Sequence, residues 1–337
     1  MIPQLNTTTS AIYAHYERVA ADGLRDHLGA SIIGHHCARY LWLKFRWVDD
    51  KKFEGRMLRL FETGQLEEPR LVANLRAIGC EVSECTAHGN QHEVRDETGH
   101  IGGSMDAIAR GFPEAHAAWH ICEFKTFNTK DFKQLQDRGV ADVKPMHYAQ
   151  MTTYMGLRGY DRAAYLAKCK ETDELYFERI HFDGAEFDRL MKRATAVVKA
   201  SEPPERCSTD ATWWQCKMCD FHGHCHGTAA PLVNCRTCAH ATPVGNGEWS
   251  CARGQEANPK QGCGGHRFIP ILLRNFAEMT DANAEDNWVQ YRNVLTGKTF
   301  WNGDLSSQEI RDCEDKRMLG DEGMNQFRYE FGAKVVA

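Results

Sequence analysis

The chain has 337 residues and a formal net charge of −5. A hydrophobic content of 42% with eight tryptophans excludes a disordered chain. The mild acidity excludes a general nucleic-acid coat, though not a local basic groove.

The opening MIPQLNTTTS lacks the basic-then-apolar layout of a secretory signal. No apolar run approaches the ~20 residues of a membrane span. Both absences predict a cytoplasmic protein. Its 14 cysteines then point to metal rather than to disulfides, because the cytosol keeps thiols reduced.

In chain order, Ile12, Tyr16, Val19 and Ala20 fall at helical spacing within Ile12 to Leu28. The segment SIIGHHCARYLWLKFRW follows, apolar through Leu41, Trp42 and Leu43, with Cys37 two residues before Arg39. Arg56 to Leu75 reads as a long helix with Leu58, Phe61, Leu71, Val72 and Leu75 on its apolar positions. Pro69 is expected to kink it or to begin a new helix. Glu67 and Glu68 read as solvated charge unless the segment abuts a metal site.

Val82 to Ile108 supplies two or three strands, with turns around Gly89-Asn90 and Gly99. Met105 to Ala109 reads as one short strand carrying Asp106. Gly111 and Pro113 break the chain, and Trp119 to Thr126 reads as the next strand. On it Glu123 and Lys125 share one face, while Cys122 and Phe124 face a core. Two acids and a lysine from neighbouring strands suit Mg²⁺ or Mn²⁺ beside a phosphate: hard cations take oxygen ligands, and an ammonium offsets developing charge.

The stretch FNTKDFKQLQDRGVADVKP reads as a loop or a short helix. A helix then begins at Pro145 and ends at Gly156 to Gly159. It puts Gln150 and Tyr154 at i and i+4 on one face. Two strands, Arg162 to Lys168 and Leu175 to Ile180, precede a helix opened by Asp183 and Glu186. This order predicts an α/β fold with a mixed sheet flanked by helices.

Eight cysteines crowd between Cys207 and Cys263. Cys216 and Cys219 form a Cys-x2-Cys pair with Cys225 six positions on, a strong metal signal. All-thiolate sites suit zinc or an iron–sulfur cluster. Cys207 or the distant Cys37 completes a set of four. A second group, Cys235, Cys238 and Cys251 with Cys263 or His266, has the spacing of a zinc-ribbon or treble-clef module. Beyond Ile269, Asn287 to Trp301 reads as two strands around Thr296-Gly297. Trp288, Tyr291 and Trp301 there fit the core of a small hairpin better than base-stacking.

Asp106, then Glu123-Phe124-Lys125, then Gln150-x3-Tyr154 resembles the RecB-like branch of the PD-(D/E)XK nucleases. Cys37 with Arg39, plus Cys216, Cys219 and Cys225, resembles its iron–sulfur subgroup. That subgroup holds the AddB nuclease domain and the CRISPR-associated RecB-like exonucleases, and phage recombination exonucleases share the fold. The resemblance spans roughly residues 30 to 228. It implies a restriction-endonuclease-like core in which Glu68, or Glu67 as second choice, joins Asp106 and Glu123 on Mg²⁺ or Mn²⁺. The CRISPR-associated members usually carry histidine at the position of Glu68.

The resemblance further implies that Lys125 activates water, and that Gln150 and Tyr154 contact DNA or order the site. A [4Fe–4S] cluster on Cys37, Cys216, Cys219 and Cys225 would staple the domain. Cys207 is an extra thiol beyond the family pattern. The expected organisation is a nuclease domain over 1–230, a zinc module over 231–270 and a hairpin/helix extension over 271–337. The implied activity is metal-dependent DNA exonuclease action in recombination or repair. DNA ends are the partner, with a single-strand annealing or recombination protein beside them, in a bacterial host's cytoplasm if the chain is phage-encoded. An endonuclease or nickase with the same site is one alternative. A non-catalytic zinc protein on a degenerate nuclease scaffold is another.

Overall fold

A computed structural model describes residues 7–21 and 23–332. The first six residues of the stretch read for a signal lie outside it. The described chain falls into two compact units. One takes residues up to 35 together with 51–195, and the other takes 36–50 together with 196 onward.

Helices α1 (Thr7–Val19), α2 (Ala30–Ile33), α3 (Ala38–Phe45) and α4 (Gly55–Ala77) come first among the helices, with the two-residue strand β1 (Leu28–Gly29) between α1 and α2. Strands β2 (Glu81–Ser83), β3 (His92–Arg95), β4 (Ile101–Met105), β5 (Ala107–Arg110) and β6 (His120–Phe127) follow. Helices α5 (Thr129–Val143) and α6 (Pro145–Arg158) lead to β7 (Arg162–Cys169), β8 (Leu175–His181) and α7 (Gly184–Lys199).

The first unit is mixed α/β. Its main sheet has the order β2-β5-β6-β7-β8, and a smaller one has the order β1-β4-β3. Within the main sheet only β6 and β7 run parallel, Glu123 opposite Tyr165 and Lys125 opposite Ala167. A parallel pair needs a crossover, and α5 with α6 supplies it. Strand β6 alternates strictly. Ile121 and Phe127 enter a core with Phe132, Leu135, Met151 and Met155 of α5 and α6. Cys122 and Phe124 enter a second core under Leu71, Val72 and Leu75 of α4.

Four local expectations need correction. Met105 to Ala109 is not one strand. The chain bends at Asp106, ending β4 in one sheet and starting β5 in the other. Pro69 does not begin a new helix: α4 runs through it. The apolar anchors Leu71, Val72 and Leu75 lie beyond it and are buried. Phe61 is 44% exposed rather than packed in a core. The stretch after Lys125, expected as a loop or a short helix, is the 15-residue α5, capped by the Asn128 side chain and anchored by buried Phe132 and Leu135, with its kink at Gly139, φ 76°. Packing of those two residues outweighs the polar composition.

In the second unit, α8 (Trp214–Lys217) and α9 (His222–His226) carry Cys216 and Cys225 of the first cysteine group, with Cys219 between them. The hairpin of β9 (Ala241–Pro243) and β10 (Trp249–Cys251) carries part of the second. An antiparallel sheet of β11 (Ala277–Asn283), β12 (Trp288–Asn293) and β13 (Thr299–Asn302) follows, one strand more than expected. Tyr291 is fully buried and stacks on Phe300 at 5.4 Å. Helices α10 (Ser307–Asp312) and α11 (Glu322–Phe331) close the described chain. The buried Lys316 ammonium caps the carbonyls of Ile310, Arg311 and Cys313.

Candidate active site

Three elements bring the acids together. The bend between β4 and β5 turns Asp106 toward β6, where its Oδ2 accepts the Phe124 backbone N–H at 2.8 Å. Strand β6 carries Glu123, 0% exposed, and Lys125 on the face toward α6. Helix α4 carries Glu68, close enough to raise the proton affinity of Glu123. The Lys125 ammonium stands among them. It pairs with Glu123 Oε1, lies 3.9 Å from Asp106 Oδ2, and donates to the Phe124 carbonyl at 3.0 Å.

Helix α6 completes the cluster. Gln150 Nε2 donates to Glu123 Oε2 at 3.0 Å and reaches the Tyr154 hydroxyl at 3.3 Å. Tyr154 donates in turn to the Ser104 carbonyl at 2.9 Å. Both side chains are buried, at 7% and 2% exposure, so their polar atoms order the site from within. Gly103 makes this approach possible: a Cβ there would stand 2.6 Å from the Tyr154 hydroxyl.

The electrostatics are those of a site short of positive charge. Burial pushes the Glu123 carboxyl up to about 7; Lys125 pulls it back, and Asp106 and Glu68 add to the rise. Glu68 is raised by burial first and by Asp106 second. Burial works against the Lys125 ammonium, but Glu123 and Asp106 outweigh it, so the net shift is upward. Packed carboxylates that resist ionisation are the donor set a divalent cation satisfies.

Glu67 points elsewhere. It pairs with Lys168 at 3.0 Å and Arg70 at 3.1 Å, which leaves Glu68 as the helical acid facing Asp106 and Lys125.

His147 had no sequence signal of its own. It lies three residues before Gln150, the interval that puts helical side chains on one face. Its Nδ1 is 2.8 Å from the Tyr165 hydroxyl. Burial, then Lys125 and Lys144, hold its pKa down at about 3, so the ring is neutral. A cavity of about 330 Å³ opens beside the cluster, lined by Leu60, Phe61, Gly64, Glu68, Lys125 and Lys170 among others.

The second unit gathers the thiols. Cys37 occupies the N-cap position of α3. The Cys207 thiol is pushed up to about 12, by burial first and then by Cys37 and Cys216 beside it. Cys219 is pushed up to about 11 by burial, with Cys225 and Cys37 contributing. Arg39, 3% exposed, turns its guanidinium toward Cys225 and donates to the Pro204 carbonyl at 3.0 Å.

Cys235, Cys238, Cys251 and Cys263 line a cavity of about 480 Å³. His266 also borders it, but both ring nitrogens are engaged. Nδ1 lies 2.8 Å from Ser307 Oγ, and Nε2 lies 3.1 Å from the Asn234 carbonyl and 3.2 Å from Thr237 Oγ1. Cys263 is therefore the fourth candidate ligand. Among the described residues, no three His, Cys, Asp or Glu side chains stand at the spacing of ligands on one ion.

No protein-family model matches this chain, and no curated protein sequence does either. Among solved structures it is similar to an alkaline exonuclease from Laribacter hongkongensis. The identity is 16% over 56% of this chain and 90% of that one, with a TM-score of 0.37. The same enzyme in complex with dAMP gives 16% identity, the same coverage and a TM-score of 0.39. A phage-related exonuclease from Haemophilus somnus 129PT is 18% identical over 40% of this chain and 66% of that one, with a TM-score of 0.30. At these TM-scores the matches assign neither fold nor activity to this chain.

Proposed function

We propose that the chain is a metal-dependent DNA nuclease that removes nucleotides from DNA ends. The observation that carries this reading is the convergence of Glu68, Asp106, Glu123 and Lys125 from three elements into one partly buried cluster beside a cavity. Two structural roles are available to buried charge, packing and pairing, and neither needs three carboxylates around one ammonium. Metal-assisted hydrolysis of a phosphodiester uses such a set, the carboxylates for a hard cation and the ammonium for charge developing on the phosphate oxygens.

Glu68, Asp106 and Glu123 are the residues to hold Mg²⁺ or Mn²⁺. A divalent cation there supplies Lewis acidity and lowers the pKa of a bound water. Lys125 orients the attacking water and offsets charge building on the phosphoryl oxygens. Gln150 fixes Glu123 through its amide N–H. Tyr154 fixes Gln150 and ties α6 to the β4 backbone.

The thiols support two further centres. Cys37, Cys216, Cys219 and Cys225 suit a [4Fe–4S] cluster, or zinc, as a structural staple. Buried Arg39 beside Cys225 and Cys37 suits thiolates there. Cys235, Cys238, Cys251 and Cys263 suit structural Zn²⁺.

The test is a nuclease assay on protein purified without oxygen. DNA labelled at either end, single- and double-stranded, is incubated with Mg²⁺ or Mn²⁺ beside the Lys125→Ala variant. The expected result is metal-dependent loss of one end label and no cleavage of circular DNA. Lys125→Ala is expected to be inert with fold and metal content intact. Wild-type turnover by that variant sinks the assignment.

A further inference from the structure

Two lysines leave the end of β7 two residues apart, and their surroundings differ. The Lys168 ammonium is paired with two carboxylates, Glu67 Oε2 at 3.0 Å and Asp173 Oδ1 at 2.7 Å. Arg70 closes the ring by pairing with both of the same acids. Those four charges cancel, so they offer nothing to an anion. Lys170 is different. Its backbone N–H is pinned to the Phe127 carbonyl at 2.8 Å, at the end of β6. Its side chain lines the cavity that holds Glu68 and Lys125. Among the described residues no carboxylate pairs with it.

Lys125 stands opposite Ala167 in the parallel register, so the Lys170 backbone lies three residues further along, roughly 10 Å at the rise of a strand. Two lysines set that far apart along one cavity can address neighbouring phosphates of one strand. With no carboxylate beside it, the Lys170 ammonium can donate a charge-assisted hydrogen bond to a phosphate oxygen at the cavity wall.

We propose that Lys170 binds a backbone phosphate of the DNA strand, next to the phosphate being cut. This rests on the nuclease reading. The contact is non-specific in sequence and electrostatic, so it releases counterion when it forms. Lys168, already neutralised, makes no such contact.

The experiment measures kcat and KM on end-labelled DNA across a series of salt concentrations. It compares wild type, Lys170→Ala, Lys170→Arg and Lys168→Ala. Each phosphate contact contributes about 0.9 to the log–log salt slope on duplex DNA and about 0.7 on a single strand. Lys170→Ala is expected to raise KM several-fold at low salt with kcat held, and to flatten the slope by that amount for every sequence tested. Lys170→Arg is expected to keep the wild-type slope. Lys168→Ala is expected to keep it too, with any loss appearing as a lower melting temperature. An unchanged slope in Lys170→Ala, with wild type active, overturns the assignment of Lys170 alone. An equal flattening in Lys168→Ala also overturns it, because the contact would then belong to the whole basic rim. Wild-type protein that neither binds nor cleaves DNA overturns the nuclease reading and this inference with it.

Discussion

Gly103→Ala is the sharpest probe of how the site is held. The added Cβ meets Tyr154 at three atoms, the hydroxyl at 2.6 Å and two ring carbons at 3.1 and 3.3 Å. The tyrosine has nowhere to go: it is 2% exposed, and its hydroxyl is bonded to Ser104 and Gln150. Overpacking of this kind costs ~1–3 kcal/mol, and a lost hydrogen bond about 1 kcal/mol. The sum is roughly 2–4 kcal/mol, or roughly 4–16 °C in Tm for a unit of this size. The assay is thermal unfolding of wild type and variant, followed by far-ultraviolet circular dichroism. Gly103→Ala with Tyr154→Phe removes the closest atom and should recover part of the loss. A melting temperature within 1 °C of wild type for Gly103→Ala would refute the claim that this glycine is required by the approach of Tyr154.

Glu123 makes the metal-free protein sensitive to pH. Its folded pKa is raised from 4.5 to about 7, so its contribution to stability is full below 4.5 and is lost as pH rises through 7. Melting temperature in a chelator should therefore fall between pH 5 and pH 8, and Glu123→Gln should flatten that fall. A profile unchanged by the substitution would exclude Glu123 as its source. At the second thiol group, Cys263→Ser should reduce bound zinc, measured by atomic emission. His266→Ala should retain zinc but melt lower by several degrees, because Ser307, Asn234 and Thr237 lose a buried partner, at about 1–3 kcal/mol. Zinc loss in His266→Ala with full retention in Cys263→Ser would reverse the ligand choice.

Much of the site was legible because its residues obey short-range geometry. Glu123 and Lys125 share a face by the period of a strand, and Gln150 and Tyr154 by that of a helix. Nothing local to Glu67-Glu68 says which acid turns inward. That depends on Lys168, about a hundred residues away, which pairs with Glu67. The break at Asp106 was hidden for a related reason. Met105 and Ala107 both suit strands, and only pairing with two different sheets separates them. His147 was missed because a single histidine on an apolar helix carries no pattern, and Tyr165, which meets it, lies on a later strand. The helix over Thr129–Val143 was underrated because its polar residues outnumber the Phe132 and Leu135 that bind it to the core.

The membership of residues 36–50 in the second unit has a consequence for synthesis. Trp42, Phe45 and Trp47 are buried to 1% or less. The Arg236 guanidinium that lies 3.7 Å over the Trp47 ring also donates to the Phe45 carbonyl, from 191 residues further along the chain. A ribosome adding 5–20 residues per second takes roughly 10–40 s to supply it. For that interval three large apolar side chains await their partner on the nascent chain while the residues of the first unit are being made. A shortened chain that stops after residue 195 never receives the partner, so it is expected to collect on chaperones or aggregate, whereas full-length protein clears that stage once Arg236 and its neighbours emerge.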